Sequence, residues 1–102
     1  MEGIMTYIIG DSVSVYVSAD DIELGERNHG ERCPFAWAAK RKLGECVDVS
    51  PPVMDSWVGN SVSSLFGTIR KWGLSQALIE EIVNFDAGQD FAPGFYTITL
   101  ER

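Results

Sequence analysis

Apolar and polar residues alternate without a break over residues 12–18, where Val13, Val15 and Val17 occupy every second position. This period of two predicts a half-buried strand whose valines face the core. Three further segments show the same pattern over a shorter length or with more aromatic residues. They predict strands at residues 46–49, 68–74 and 95–100.

Two other segments carry apolar residues at the three- and four-residue spacing of a helix. The first begins at Pro34, which suits a first helical turn, and ends before Gly44. The second begins after Ser75 and ends near Gly88. Its buried stripe would consist of Leu78, Ile79, Ile82 and Phe85. A short helical turn is also expected where Ser18 precedes an acidic run, because serine is a favoured N-cap residue.

The segment from residue 53 to residue 70 has no clear period, and a hairpin of short strands is expected within residues 55–68. Together these elements predict a single α+β domain over residues 1–102, with a small, mostly antiparallel sheet and two main helices packed on one face. Because helices separate the first two strands, one parallel pair is the alternative at that position.

The composition is that of an ordinary globular domain. The chain has 102 residues, of which 45% are hydrophobic and 23% are charged. No apolar run approaches the ~20 residues of a membrane helix, and the chain does not begin with a secretion signal. We therefore expect a cytoplasmic protein in which Cys33 and Cys46 are free thiols, a bond between them being the alternative.

The net charge of −7 argues against a general nucleic-acid binder, because neutralising phosphates requires an excess of lysine and arginine. The charge is unevenly distributed. Residues 25–42 hold five bases and two acids, whereas the segments before and after are acidic. Acidic surfaces of this kind suit a partner protein with a basic surface, although the same carboxylates also suit helix capping and solvation. The candidate partner-binding residues are Asp20, Asp21, Glu23, Glu80 and Glu81.

Catalytic and metal signatures are weak. His29 lies four residues before Cys33, whose position at a helix start beside Arg32 would lower the pKa of the thiol. No third group is in view to orient such a pair. His29, Cys33 and Cys46 also lack the spacing of a zinc site. We therefore expect no catalytic residue, no metal and no cofactor.

Anion binding is the alternative for the basic segment. Backbone N–H groups at the start of the Pro34 helix would be unpaired, and three side chains lie close to them in sequence. An aromatic side chain nearby could stack on a base. The candidate ligand-binding residues are Arg27, His29, Arg32 and Trp37, and a nucleotide-like molecule is the ligand that they suggest.

Three groups of residues in fixed order carry a family resemblance. They are Val15-x-Val17 with Asp21-Ile22-x-x-Gly25, then Cys33-Pro34-Phe35-Ala36-x-Ala38, then Ile82-Val83-x-Phe85-Asp86-x-Gly88 followed by Pro93 and Phe95. In these motifs the chain resembles a small family of proteins encoded by bacteriophages and prophages. The family has no assigned activity, so the resemblance implies a context, the cytoplasm of an infected bacterium, and no site residues.

Two hypotheses follow. The first is a non-enzymatic phage accessory protein that binds and inhibits a host defence or regulatory complex through acidic surfaces. The second is a small-molecule binder that sequesters a nucleotide-like signal at the loop from Arg27 to Cys33. A homodimer formed through an edge strand, such as the strand at residues 95–100, is compatible with either hypothesis.

Overall fold

The computed structural model describes residues 7–58 and 69–101. These residues form five strands and three helices. In chain order they are β1 (Ser12–Val17), α1 (Ala19–Leu24), α2 (Pro34–Leu43), β2 (Cys46–Ser50), β3 (Val53–Trp57), β4 (Arg70–Leu74), α3 (Gln76–Asp86) and β5 (Gly94–Glu101). The α+β class and the four strands predicted from alternation are confirmed.

The helix boundaries follow from local chemistry. Ser18 caps α1 by accepting a hydrogen bond from the N–H of Asp21, whose carboxylate in turn accepts from the N–H of Ser18. Pro34 occupies the first turn of α2, and Gly44 ends that helix in the left-handed conformation, with φ of 68°. Ser75 caps α3 through the N–H of Leu78. The three predicted helix starts are therefore confirmed.

The strands form one sheet in the order β1-β5-β4-β3-β2, and every neighbouring pair is antiparallel. β1 and β2 thus lie at opposite edges, and the alternative of a parallel pair between them is wrong. The prediction that the last strand could form an edge is also wrong. β5 pairs with β1 on one side and with β4 on the other, so it lies inside the sheet.

The sheet curls around α2, which packs against both edge strands, β1 and β2. Helix α3 packs on the same side, where Phe85 contacts Phe91 and Phe91 contacts Tyr96 of β5. The alternating apolar residues of the strands complete this core, as their periodicity predicted. The core side chains from the strands are Val13, Val15, Val17, Val47, Val49, Met54, Trp72, Leu74, Ile98 and Leu100.

The middle of the chain differs from expectation. The hairpin there is formed by β2 and β3, which are joined at Pro51 and Pro52, earlier than the predicted segment at 55–68. Part of that predicted segment, residues 59–68, lies outside the described residues. β3 was not predicted because its buried positions, Met54 and Ser56, are a flexible and a polar side chain rather than β-branched ones.

Two polar contacts are built into the core. The indole N–H of Trp72 donates to the hydroxyl of Ser56 over 2.9 Å, and both side chains are fully buried. Glu45, also buried, forms an ion pair with Arg70, whose guanidinium lies over the rings of Tyr7 and Trp72. The first contact satisfies the buried indole N–H, and the second pairs one carboxylate oxygen of Glu45, whose Oε1 has no hydrogen-bond partner. None of the helices in the described part of the chain is long and apolar enough to span a bilayer.

Candidate functional site

The basic loop, residues 26–33, is fastened to the rest of the domain. Arg27 donates hydrogen bonds to the carbonyl oxygens of Phe85 and Gln89, the latter over 3.0 Å, and its guanidinium lies 4.2 Å from the centre of the Phe85 ring. Arg27 therefore caps the carboxyl end of α3, where a cation is favourable. Its Nη1 group is therefore held at the end of α3.

The other predicted ligand-binding residues do not converge with Arg27. Arg32 forms an exposed ion pair with Glu26 at 3.6 Å. The ring of Trp37 is covered instead by the ammonium of Lys40, 4.7 Å from the ring centre. In the described part of the chain no hydrogen bond, ion pair or cation–π contact joins the side chains of the four predicted residues.

His29 lines a shallow cleft of about 240 Å³ together with Cys33 and Asp86. Cys33 is 3% exposed, and burial raises the pKa of its thiol, with the nearby carboxylate of Asp86 acting in the same direction. The prediction of a lowered pKa at Cys33 is therefore wrong, because desolvation outweighs the helix start. The carboxylate of Asp86 would also repel a phosphate.

A metal site requires several histidine, cysteine or carboxylate side chains close together. Over residues 7–58 and 69–101 no three histidine, cysteine, aspartate or glutamate side chains are placed to hold a metal ion. Cys33 and Cys46 are not joined by a disulfide; Cys33 is buried and Cys46 is exposed.

The predicted acidic residues divide into two groups. Asp21 is 2% exposed, and both of its carboxylate oxygens accept hydrogen bonds from Arg41. Asp21 is therefore a structural residue and not the partner-binding residue that the sequence predicted. Glu81 accepts a hydrogen bond from the N–H of Ala92 over 2.8 Å and so holds the turn before β5. The remaining three predicted residues are exposed: Asp20, Glu23 and Glu80.

The convex side of the sheet carries the less expected feature. Both α2 and α3 pack on the concave side, so the outward side chains of the five strands form a surface that no helix in residues 7–58 and 69–101 covers, here called the open face. Four charged side chains cross it in register on neighbouring strands. This charged row consists of Glu101, Lys71, Asp55 and Asp48, in the order β5, β4, β3, β2.

Charge compensation fails at one end of the charged row. Lys71 lies between Glu101 and Asp55, whereas Asp48 lies directly opposite Asp55. The pKa of Asp48 is raised, first by partial burial and then by the negative charges of Glu31 and Asp55, while His29 acts in the opposite direction. Like charges that face each other across two strands destabilise a sheet, so the arrangement lowers the stability of the free protein.

An aromatic pair lies at the opposite corner of the open face. Tyr16 and Phe95 face each other on β1 and β5, with ring centres 4.9 Å apart. Their exposed fractions are 47% and 72%, which is high for side chains of this size. Together with the charged row, the pair gives the open face one apolar and one acidic region.

Only part of the composition of the open face could be predicted from the sequence. Alternation placed Tyr16 on the outward side of β1. Asp48 and Asp55 face each other only because β2 pairs with β3 in this register, and the sequence around either residue does not predict that register.

The family resemblance stays a prediction, because no family model, no curated protein and no solved structure matches the chain.

Proposed function

We propose that this protein is a non-enzymatic binding protein that docks a basic protein on the open face of its sheet. In the context that the phage resemblance implies, the partner is a component of a host defence or regulatory complex, and docking inhibits it. The observation that carries the proposal is that Asp48 faces Asp55 across β2 and β3 on the open face, with Lys71 opposite only Asp55.

The acidic pair supports a basic partner. An arrangement that destabilises the free protein is expected where function requires it, and a cation from a partner would relieve the repulsion between Asp48 and Asp55. The net charge of −7 adds a long-range attraction for the same kind of partner. Binding of this kind weakens as salt is added.

The aromatic pair supplies apolar area that a partner can bury, which the charged residues do not provide. Exposed aromatic rings are frequent anchors of protein interfaces, because they bury a large area with few rotatable bonds. Tyr16 and Phe95 are already held against each other, which reduces the ordering that binding requires. The open face therefore combines an apolar anchor with a region that selects charge.

The competing hypothesis of a nucleotide-like ligand has less support. It requires cations that converge on a phosphate, whereas Arg27 caps α3 and Arg32 binds Glu26. It would regain support if cyclic or linear nucleotides raised the melting temperature, since a ligand of the folded state stabilises it.

The proposal is tested by capture from a lysate of the bacterium whose genome carries the sequence. The tagged protein is compared with two variants of the open face, Tyr16→Ser/Phe95→Ser and Asp48→Asn/Asp55→Asn. We expect the wild-type protein to capture a basic protein at low salt and to release it at high salt. Both variants should lose at least about tenfold of the capture, because each removes one of the two regions.

The matched control is Glu80→Gln, which removes an exposed carboxylate from α3, on the other side of the domain. This variant should capture the same protein as the wild type. If both face variants retain the partner while Glu80→Gln loses it, docking occurs through the helical side and the proposal is wrong. Capture that does not depend on salt would contradict the electrostatic part.

A further inference from the structure

The two edges of the sheet are protected to different degrees. At the β2 edge the N–H of Val49 donates to the carbonyl of Gly30 over 2.8 Å, so the basic loop covers part of that strand. Gly30 approaches so closely that a methyl group on it would lie 2.5 Å from the carbonyl oxygen of Val49. No such loop covers the β1 edge within residues 7–58 and 69–101. In the described part of the chain its outer contact is Arg41, which donates to the carbonyl of Tyr16 over 3.2 Å.

The alternating direction of backbone hydrogen bonds along β1 identifies which of its N–H and C=O groups point away from the sheet. The N–H of Leu100 donates to the carbonyl of Asp11 over 2.9 Å, so the backbone of Asp11 faces β5. Alternate residues of an antiparallel strand direct their backbone groups to the same side. Ser12 and Ser14 therefore direct their N–H and C=O groups away from the sheet, where none of the strands formed by residues 7–58 and 69–101 pairs with them.

We propose that the β1 edge pairs with β1 of a second copy of the chain. The two strands run antiparallel, with Ser12 of each copy opposite Ser14 of the other. Each of these two opposed pairs exchanges two backbone hydrogen bonds, and the two sheets become continuous. The carbonyl of Tyr16 remains with Arg41, which ends the pairing on each side. The open face stays uncovered, so this dimer does not depend on the proposed function.

The chemistry of β1 favours its own copy as the occupant. The strand reads Ser-Val-Ser-Val-Tyr-Val and contains no charge and no proline, the residues that usually block edge pairing. Its antiparallel register places Val13 opposite Val13 on the concave side. The same register brings Arg41, beside Tyr16, toward Asp11 of the other copy at both ends of the interface. A parallel arrangement would instead bring the two copies of Arg41 together.

The test is the molar mass in solution over a range of protein concentrations, by light scattering and sedimentation. The wild-type protein should show a concentration-dependent equilibrium between monomer and dimer. Ser14→Pro should be monomeric, because proline removes the outward N–H without touching a bond to β5. Ser14→Ala keeps the N–H and should dimerise like the wild type. Wild-type protein that is monomeric at millimolar concentration overturns the proposal.

A second measurement uses the unmodified protein, in case Ser14→Pro does not fold. Amide exchange followed by NMR should slow at Ser12 and Ser14 as protein concentration rises, while the exchange of exposed loop amides stays unchanged. Exchange at Ser12 and Ser14 that is independent of concentration would overturn the edge pairing. A dimer that is lost in Phe95→Ser but kept in Ser14→Pro would place the contact on the open face and overturn it as well.

Discussion

The guanidinium of Arg41 forms two parallel hydrogen bonds with the carboxylate of Asp21, of 2.7 and 2.8 Å. Asp21 lies in the first turn of α1 and Arg41 in the last turn of α2, so the pair joins the two helices. A helix of six residues is not stable alone, and α1 depends on such contacts for its orientation.

Replacing Arg41 with methionine should therefore destabilise the domain. Asp21 is buried, but the side chain of Arg41 is 57% exposed, so solvent screens part of the interaction. We expect a loss of about 1–2 kcal/mol in the free energy of unfolding, measured with urea. Asp20→Asn removes an exposed carboxylate of the same helix and should stay within about 0.5 kcal/mol of the wild type. An equal loss in both variants would contradict the role of the pair.

The same pair gives the acid dependence of stability a definite sign. The hydrogen bonds from Arg41 lower the pKa of Asp21 in the folded state. The stabilisation is therefore present above the unfolded pKa of about 3.9 and is lost as pH falls through the lower folded value. We expect Asp21→Asn to be less stable than the wild type at neutral pH, with a gap that narrows below about pH 4. Urea unfolding measured at several pH values checks this, and a gap that widens in acid would contradict it.

Local signals explain why the helices were predictable. Ser18, Pro34, Gly44 and Ser75 each act within a few residues of the boundary that they set, so the sequence alone identifies them. The same is true of the alternation in β1, which the structure reproduces position by position.

Contacts between distant residues explain what could not be predicted. The sequence of the basic loop predicts a phosphate site. In the fold, however, Arg27 binds the carboxyl end of α3 at Phe85, which lies 58 residues later in the chain. Asp48 and Asp55 likewise meet only through strand register. The charge pattern of the sequence therefore identifies the charged segments, but only the tertiary structure shows which of their side chains are already paired within the protein.

The buried contact between Trp72 and Ser56 should make the core sensitive to loss of one hydroxyl. Ser56→Ala leaves the indole N–H of Trp72 without its acceptor in a site closed to water. We expect a loss of about 1–3 kcal/mol in the free energy of unfolding. The matched control is Ser12→Ala, which removes a hydroxyl that contacts Thr99 at the exposed surface and should cost less than about 0.5 kcal/mol. Similar losses for the two variants would show that the buried bond contributes little.

The two cysteines should differ sharply in reactivity. Cys46 is exposed, whereas Cys33 is buried and its pKa is raised by that burial. Because the thiolate is the reactive form, native protein should consume one equivalent of a thiol reagent quickly, and the second only on unfolding. Cys46→Ser should remove the fast phase and Cys33→Ser should leave it. Rapid native labelling of Cys33 would revive the hypothesis of a nucleophilic thiol.

Neutralising Asp48 should separate stability from binding. Asp48→Asn removes the repulsion from Asp55 and Glu31 together with an attraction to His29, and solvent screens these exposed charges. The variant should therefore be more stable than the wild type by at most about 0.5 kcal/mol at neutral pH. The raised pKa of Asp48 fixes the pH dependence, because protonation of the wild-type carboxyl relieves the same repulsion. The gain in stability of Asp48→Asn is therefore full above the folded-state pKa of Asp48 and disappears as pH falls below its unfolded-state pKa.

Urea unfolding at neutral and acid pH measures this gain in stability, with Glu80→Gln as a neutralised control that should show neither the gain nor its pH dependence. If open-face docking is correct, Asp48→Asn also weakens capture of the basic partner. A variant that is both less stable and weaker in binding would mean that Asp48 is simply structural, because removing repulsion cannot account for a loss of stability.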